Sequence, residues 1–377
     1  MINRIVFHLF FAVFRILARL FPSKPRQFPP DAFRTILVFS AAGIGDTLTD
    51  SVAVRALKES FPKARLIVVT HRRRAALARH NPFADEVVLY YKSLARFLVL
   101  TRQLRERRPE AIVMLRGNDP DLWPLAWLVN RHAVVSCPVM TRFHFLISHP
   151  VSIPDWDRLH GVEQTLQIVR AIGAEPKDRR LVYEVQPHER AQIRDKLLHA
   201  CAAQKPLVVF QLGGGRRSAW RDWPAMHFVE LGRMLLGEFD IQLLLLGGPD
   251  LLSKAVQVEA GLPGQAINFT GRLTLVEAAA LLNEAKILVS TDTGIMHLGF
   301  AVGVDTVALI HCNNPASRVG PHGYGDKHVV VQLEPPPGVP ASKDVEMDRL
   351  SPGEVWPRLR SLCERHRVPR KDARGKS

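Results

Sequence analysis

Ser290-Thr-Asp-Thr-Gly-Ile-Met-His-Leu-Gly-Phe300 is the stretch that decides the fold of this chain. The residues before it, Lys286-Ile-Leu-Val289, form an apolar run that predicts a buried parallel strand. Small polar residues then carry the chain into a helical pattern beginning near Gly294. A strand that feeds a helix through Asp-Thr-Gly places backbone N–H groups and the positive helix end at the carboxyl edge of a sheet. Open α/β sheets bind phosphorylated ligands at that edge. Asp292 adds an acceptor suited to sugar hydroxyls, and His297 lies about one turn into the helix, on the side able to face the same pocket. The plainer alternative is that Asp292 caps the helix and His297 packs beneath it.

The same strand-to-helix signal repeats on both sides of this stretch. Upstream, Thr35-Ile-Leu-Val-Phe39, Arg65-Leu-Ile-Val-Val-Thr70, Glu86-Val-Val-Leu-Tyr90, Ala111-Ile-Val-Met-Leu115 and His132-Ala-Val-Val-Ser136 recur at βαβ spacing. A more polar segment with Pro176 and Pro187 follows. Then come Pro206-Leu-Val-Val-Phe-Gln211, Gln242-Leu-Leu-Leu-Leu246, Ala266-Ile-Asn-Phe269, Lys286–Val289 and Thr306-Val-Ala-Leu-Ile310. The pattern predicts two doubly wound halves, residues 31–190 and 200–345, with a cleft between them. Thr274-Leu-Val-Glu277 reads as a capping box, and so does Ser351-Pro-Gly-Glu354, which opens a C-terminal helix and basic tail over 350–377. Pro357 is expected to kink or shorten that helix.

Loops at strand ends carry the candidate chemistry. Ala42-Gly-Ile-Gly-Asp-Thr-Leu48 has two glycines that allow a ligand close to the backbone but lacks the third glycine of a dinucleotide fingerprint. Asp46 stands at the mouth of the following amphipathic helix, as N-cap, as a base, or as both. Leu212-Gly-Gly-Gly-Arg-Arg-Ser-Ala-Trp-Arg-Asp-Trp-Pro224 joins Gly213, Gly214 and Gly215 to Arg216, Arg217 and Arg221, a set suited to a diphosphate or else a basic surface loop. Gly247-Gly-Pro-Asp250 reads as a turn, and Cys312-Asn-Asn-Pro315 brings Asn314 toward the opening motif.

A chain of 377 residues with 51 Lys and Arg against 36 Asp and Glu presents a surface that attracts anions. No aromatic-studded RNA motif or zinc finger is present, so nucleic acid is not the expected partner. Cys137, Cys201, Cys312 and Cys363 have neither metal nor disulfide spacing, which fits a reducing compartment. Residues 2–21 are almost wholly apolar, with Arg4, His8, Arg15 and Arg19 within an arc of roughly 60° on a helical wheel. That narrow basic face predicts a monotopic helix lying on the membrane rather than a cleaved signal or a spanning helix. Pro22, Pro25, Pro29 and Pro30 end it in a stiff linker, so residues 1–30 read as an anchor on the cytoplasmic face of the inner membrane.

Taken in order, Gly43-Ile-Gly-Asp46, Arg221-Asp-Trp-Pro224 and Thr291-Asp-Thr-Gly-Ile-Met-His297 resemble the motifs of glycosyltransferase family 9, the lipopolysaccharide heptosyltransferases. The resemblance runs from about Ile36 to about Gly325. It implies a GT-B architecture of two Rossmann-like domains, the second holding the nucleotide sugar. It also implies inverting, metal-independent transfer of heptose from ADP-heptose to the inner core of a phosphorylated lipid A acceptor, without a cofactor. By the same resemblance Asp46 is the base, and Gly45 beside it is expected to contact the acceptor. Arg221 replaces the usual lysine as the cation for the leaving diphosphate. Asp292 binds the donor sugar, and Thr293, Gly294 and His297 line the donor pocket.

An inverting transfer needs a base for the acceptor hydroxyl and a cationic site for the departing diphosphate. Asp46 from one half, and Arg221 with the amides of Gly213 to Gly215 from the other, are expected to supply them across the cleft. Arg72, Arg73 and Arg74, with the arginines of 102–108, are candidate contacts for acceptor phosphates or else solvated faces. Three other readings stay open: a family member with another nucleotide sugar or acceptor, a nucleotide-sugar epimerase, and a non-catalytic lipid-binding protein at the membrane surface.

Overall fold

The computed structural model describes residues 4–28, 33–91, 93–117, 119–200 and 204–371, without the side chains of 4–7, 94, 95 and 216–218. The expectations resting on Pro29, Pro30, Cys201, the tail 372–377 and the side chains of Arg4 and Arg217 lie outside the described residues. The chain divides into two compact units, Met1–Tyr183 and Glu184–Ser377.

Unit 1 is built on β1 (Thr35–Ala41), β2 (Arg65–His71), β3 (Glu86–Tyr90), β4 (Ala111–Gly117), β5 (Val134–Ser136) and β6 (His149–Pro150), paired in the order β3-β2-β1-β4-β5-β6. Its helices are α1 (Arg4–Leu20), α2 (Ile44–Ser60), α3 (Ala75–Arg79), α4 (Leu94–Glu106), α5 (Leu122–Asn130) and α6 (Gly161–Arg170). Unit 2 comprises α7 (Pro187–His199), β7 (Leu207–Gln211), α8 (Ala225–Glu238), β8 (Gln242–Leu246), α9 (Leu252–Gly261), β9 (Ala266–Asn268), α10 (Leu275–Glu284), β10 (Ile287–Thr291), α11 (Gly294–Val302), β11 (Asp305–Ile310), α12 (Ala316–Val319), β12 (Val329–Gln332) and α13 (Pro352–Arg365). Its sheet runs β12-β11-β10-β7-β8-β9, so the two sheets share one topology, and every pairing is parallel. Two Rossmann-like units in one chain are the pair expected of a GT-B protein.

The central strands β1, β4, β7 and β10 are buried along nearly their whole length, as parallel strands covered on both faces must be. In each sheet the winding direction reverses beside the first strand. The two switch points are therefore β1/β4 and β7/β10. The loops leaving the carboxyl ends of those strands are the ones singled out from the sequence, with β4 as the addition.

Several elements depart from the sequence reading. The strands β6 and β12 were not anticipated: one is two residues long and includes Pro150, and the other is only partly buried. Both sit at sheet edges, where hydrophobic pattern is weakest and proline is tolerated. The units meet in sequence at Tyr183/Glu184 rather than near 190, because α7 is tied to α10 by Arg194–Glu284 (2.9 Å) and Lys196–Glu277 ion pairs. The helix α2 is not amphipathic: residues from Thr47 through Leu57 are all buried, with α6 packed against it and Arg55 and Ser51 bonded to the backbone at Arg180 and Val182. Both predicted capping boxes form, at Thr274/Glu277 and Ser351/Glu354. The helix α13 runs on through Pro357 to Arg365. Proline in the second turn removes only the bond to Gly353, and Val355, Leu359, Leu362 and Cys363 lock the helix into the unit 2 core.

The N-terminal helix packs on unit 1. Phe14 is buried against Trp127, Phe10 touches Phe97, and Phe11 meets Phe143 and Phe145 edge-on. The linker is pinned as well: Trp127 Nε1 donates to Ser23 Oγ at 3.0 Å, and the Arg26 carbonyl lies 2.8 Å from His149 Nε2. One face of α1 thus belongs to the unit 1 core. Among the described residues no helix is long and apolar enough to cross a membrane.

Candidate active site

At the β7/β10 switch point Gln211 and Ser290 are register partners at the strand ends. The Gln211 side-chain oxygen accepts from Ser290 Oγ (3.1 Å) and Thr293 Oγ1 (3.3 Å), which fixes the turn into α11. Thr293, not Asp292, is the N-cap of α11, and its side chain makes no capping bond. Asp292 is instead drawn across the strand ends. Its Oδ2 accepts from Arg221 at 2.5 Å and from Asn314 Nδ2 at 2.6 Å. His297 Nε2 stands 3.9 Å from the other carboxylate oxygen and also packs edge-on against Phe300. Asp292, Thr293, Gly294, His297, Asn314 and Arg221 therefore gather at one edge, although they come from three separate segments.

Asn314 owes its place to His311, which is fully buried. His311 Nε2 lies 2.6 Å from the Val345 carbonyl while Nδ1 accepts from the Asn313 amide. These partners select the tautomer with the proton on Nε2. Burial, followed by the Arg221 charge, holds the ring below the ordinary histidine range despite the opposing Val345 bond. Trp220 stands edge-on to His311 and carries Arg221 over its face at 5.2 Å.

The glycine run does something the sequence did not suggest. Gly213 and Gly215 have φ of 152° and 79°, open only to glycine. A Cβ at Gly215 would meet Asp250 at 2.0 Å, and one at Gly213 would meet Asp222 at 2.6 Å. The Gly214 amide already donates to Asp222 at 2.8 Å. Two carboxylates thus press on the segment read as a diphosphate cradle, and burial, partly offset by that amide, raises the Asp222 pKa.

At the β1/β4 switch point the pairing slips between Phe39 and Ser40, so that Arg116 stands opposite Ser40. That slip aims Arg116 at α2, where its Nε lies 3.2 Å from Asp50 and a terminal nitrogen 3.4 Å from Asp46. Asp50 is wholly buried and accepts from Ser40 Oγ at 2.6 Å. Burial outweighs Arg116 and Ser40 and pushes its carboxyl up to about 6. Asp46 is different: 41% of its side chain is exposed. It is not the N-cap of α2 either. Gly43 holds that position, and the Asp46 carboxylate reaches back to the Gly43 amide at 3.2 Å. Of the arginine run, Arg74 joins this edge through the Ala42 carbonyl (3.3 Å), while Arg72 and Arg73 are exposed. Arg102 and Arg107 pair with Glu106 and Glu86.

The residues missed by sequence reasoning are Arg116, Asp50, Ser40, Gln211 and Asp222. A polar residue ending an apolar strand run, as at Arg116 and Gln211, was the available signal. Asp50, one turn after Asp46, looked like any polar helix position.

This arrangement has known relatives. The structure of a glycosyl transferase family 9 protein from Veillonella parvula aligns with a TM-score of 0.75 at 20% identity, covering 88% of this chain and 98% of that one. The Escherichia coli ADP-heptose lipopolysaccharide heptosyltransferase II aligns with a TM-score of 0.72, also at 20% identity, over 89% of this chain and 100% of that one. In sequence, lipopolysaccharide heptosyltransferase 3 of Escherichia coli is 22% identical over 70% of this chain and 80% of its own length. The profile described as Glycosyltransferase family 9 (heptosyltransferase) matches residues 98–346, most of the chain and both switch-point residues Arg116 and Asp292. The chain belongs to that family, and it is a glycosyltransferase.

Proposed function

We propose that this enzyme transfers heptose from ADP-heptose to the inner core of a lipid A acceptor with inversion at the anomeric carbon. The observation that carries the reading is the pair of switch points. One presents a solvent-accessible carboxylate, Asp46, on a fixed cationic support. The other presents a guanidinium, Arg221, beside a helix N-terminus without a side-chain cap. The family and the names of its relatives support this choice of donor and acceptor.

In this scheme Asp46 takes the proton from an acceptor hydroxyl as its oxygen attacks the anomeric carbon. The bond to the nucleotide diphosphate breaks on the opposite face, and ADP leaves with the electron pair. Arg221 binds Asp292 through one terminal nitrogen, and a guanidinium has further N–H donors for a diphosphate oxygen. The α11 N-terminus adds its dipole to the same charge. Asp292, which also accepts from Asn314, holds the Arg221 guanidinium, and the two residues offer oxygen and amide groups to the sugar hydroxyls.

The test is transfer by the purified protein from ADP-heptose, and separately from UDP-glucose, to heptose-free lipid A core, with the product's mass and anomeric configuration determined. A heptosylated, inverted product is expected only with ADP-heptose. Transfer from UDP-glucose alone would reassign the donor. Conversion of ADP-heptose without acceptor would mean an epimerase.

A further inference from the structure

The helix α1 has two apolar faces, and the fold uses only one. Phe10, Phe11, Phe14, Leu17 and Ala18 pack on unit 1. On the opposite side Leu9, Val13, Ile16 and Leu20 recur at i, i+4, i+7 and i+11, and they are 65%, 43%, 57% and 67% exposed. Such a row leaves a continuous apolar strip along the outside of the helix. A second exposed apolar pair lies on α4, which α1 contacts. Phe10 touches Phe97 of α4, and the next two residues, Leu98 and Val99, are 70% and 56% exposed. Between the packed and outward faces run His8, Arg15 and Arg19, all exposed, and the exposed Lys24 and Arg26 continue the positive charge beyond the helix.

We propose that the outward face of α1, together with Leu98 and Val99 of α4, docks unit 1 onto an anionic phospholipid bilayer. The occupant is chosen by charge. A strip of leucine and isoleucine flanked by arginines matches a surface with acyl chains below and phosphates above. A second copy of this chain, itself at a formal net charge of +15, would bring the same arginines to the contact. The helix lies along the surface instead of crossing it: 17 residues rise about 25 Å, short of a hydrocarbon core of about 30 Å. Because its inner face is locked to the unit 1 core, the helix positions a folded unit on the membrane rather than tethering it. Deleting it would uncover Phe97, Trp127 and Phe143, so point variants on the outer face are the cleaner probe.

The experiment is flotation of the full chain with vesicles of phosphatidylethanolamine and phosphatidylglycerol, and with vesicles of phosphatidylcholine alone. It needs neither donor nor acceptor sugar, so its outcome is separate from that of the proposed transfer reaction. The parent is expected to float with the anionic vesicles and to be released by high salt. Leu9→Gln/Ile16→Gln/Leu20→Gln should lower partitioning at least tenfold with an unchanged melting temperature. Leu98→Gln/Val99→Gln should lower it about threefold, and Arg15→Gln/Arg19→Gln about fivefold per charge. Transfer to a soluble, delipidated acceptor should be unaffected by all of these substitutions. Parent-like flotation of the triple variant would overturn the proposal, and so would equal binding to phosphatidylcholine. A parent that is dimeric without vesicles, with a monomeric triple variant, would assign the face to self-association instead.

Discussion

Both units place an arginine–aspartate pair at the point where strand order reverses, but they build it in opposite senses. In unit 1 the aspartates ride on the helix after the first strand, and Arg116 ends the fourth. In unit 2 Arg221 lies in the loop after the first strand, and Asp292 ends the fourth. The exchange changes what each carboxylate can do. Asp46 sits in the first turn of α2, 41% exposed and held from one side, so a substrate can reach it. Asp292 sits at the sheet edge with 3% exposure, under Arg221 and Asn314, where it shapes a pocket. One topology thus yields an exposed carboxylate in one copy and a buried, cation-paired one in the other.

The strongest test of that contrast is Asp46→Asn. The amide oxygen can still accept from Gly43, so the α2 terminus should survive while the proton acceptor is lost. The expected result is kcat lower by about 10²-fold or more with melting temperature and donor affinity near the parent's. An almost fully active Asn variant would remove Asp46 from the base role and leave it the helix-end contact alone.

Arg221→Ala should act on the donor side. It leaves Asp292 buried beside Asn314 and His297 without a permanent cation, and the expected loss is about 2 kcal/mol in kcat/KM for the nucleotide sugar, with lower thermal stability. Arg221→Lys keeps the charge and should retain much of the activity. If both variants lose equally, the planar fork rather than the charge is what the site requires.

Smaller effects come from pH, and the two units should respond with opposite signs. The folded-state value of Asp50, about 6, lies above its ordinary 3.8. Its contribution to stability is therefore complete below the ordinary value and is lost as pH rises through about 6. Asp50→Asn should melt above the parent at pH 8, with the advantage shrinking by pH 5. A variant that is less stable at every pH would show that the Arg116 pair outweighs the burial of charge.

His328 behaves in the reverse way. It is buried among Phe300 and Tyr324, its ring nitrogens have no hydrogen-bond partner among the described residues, and its value falls to about 3. Its contribution is present above 6.5 and is lost as pH falls toward 3. His328→Leu should match the parent near pH 8 and gain a melting-temperature lead between pH 6.5 and 4. A lead that does not widen on acidification would show that His328 is not the acid-sensitive group. Hydrogen exchange read separately in the two units would show whether acidification firms unit 1 while loosening unit 2.

The two sites were unequally legible. In unit 2 the glycine run and the Thr291-Asp-Thr-Gly motif are local, so backbone conformation and residue type announce them without tertiary context. What could not be read was that Asp222 and Asp250 lie against that glycine run, because Asp222 is folded back by the 216–221 turn and Asp250 comes from the loop after β8. In unit 1 Asp46 was visible in its loop, but its partner Arg116 lies in another strand seventy positions away. The bulge that aims Arg116 is a property of the β1/β4 pairing and has no local signature.

The alternation of buried strands with helices, both capping boxes, and the loops at the carboxyl ends of the central strands were legible in the residues alone. These follow from hydrophobic period, small residues at strand ends, and side-chain reach within a few positions. Which polar groups share an edge, which carboxylate stays exposed, and which face of α1 faces outward emerge only on folding. Burial and ion pairing depend on residues that are distant along the chain. An aspartate is an exposed carboxylate or a buried, ion-paired one according to what the sheet places beside it.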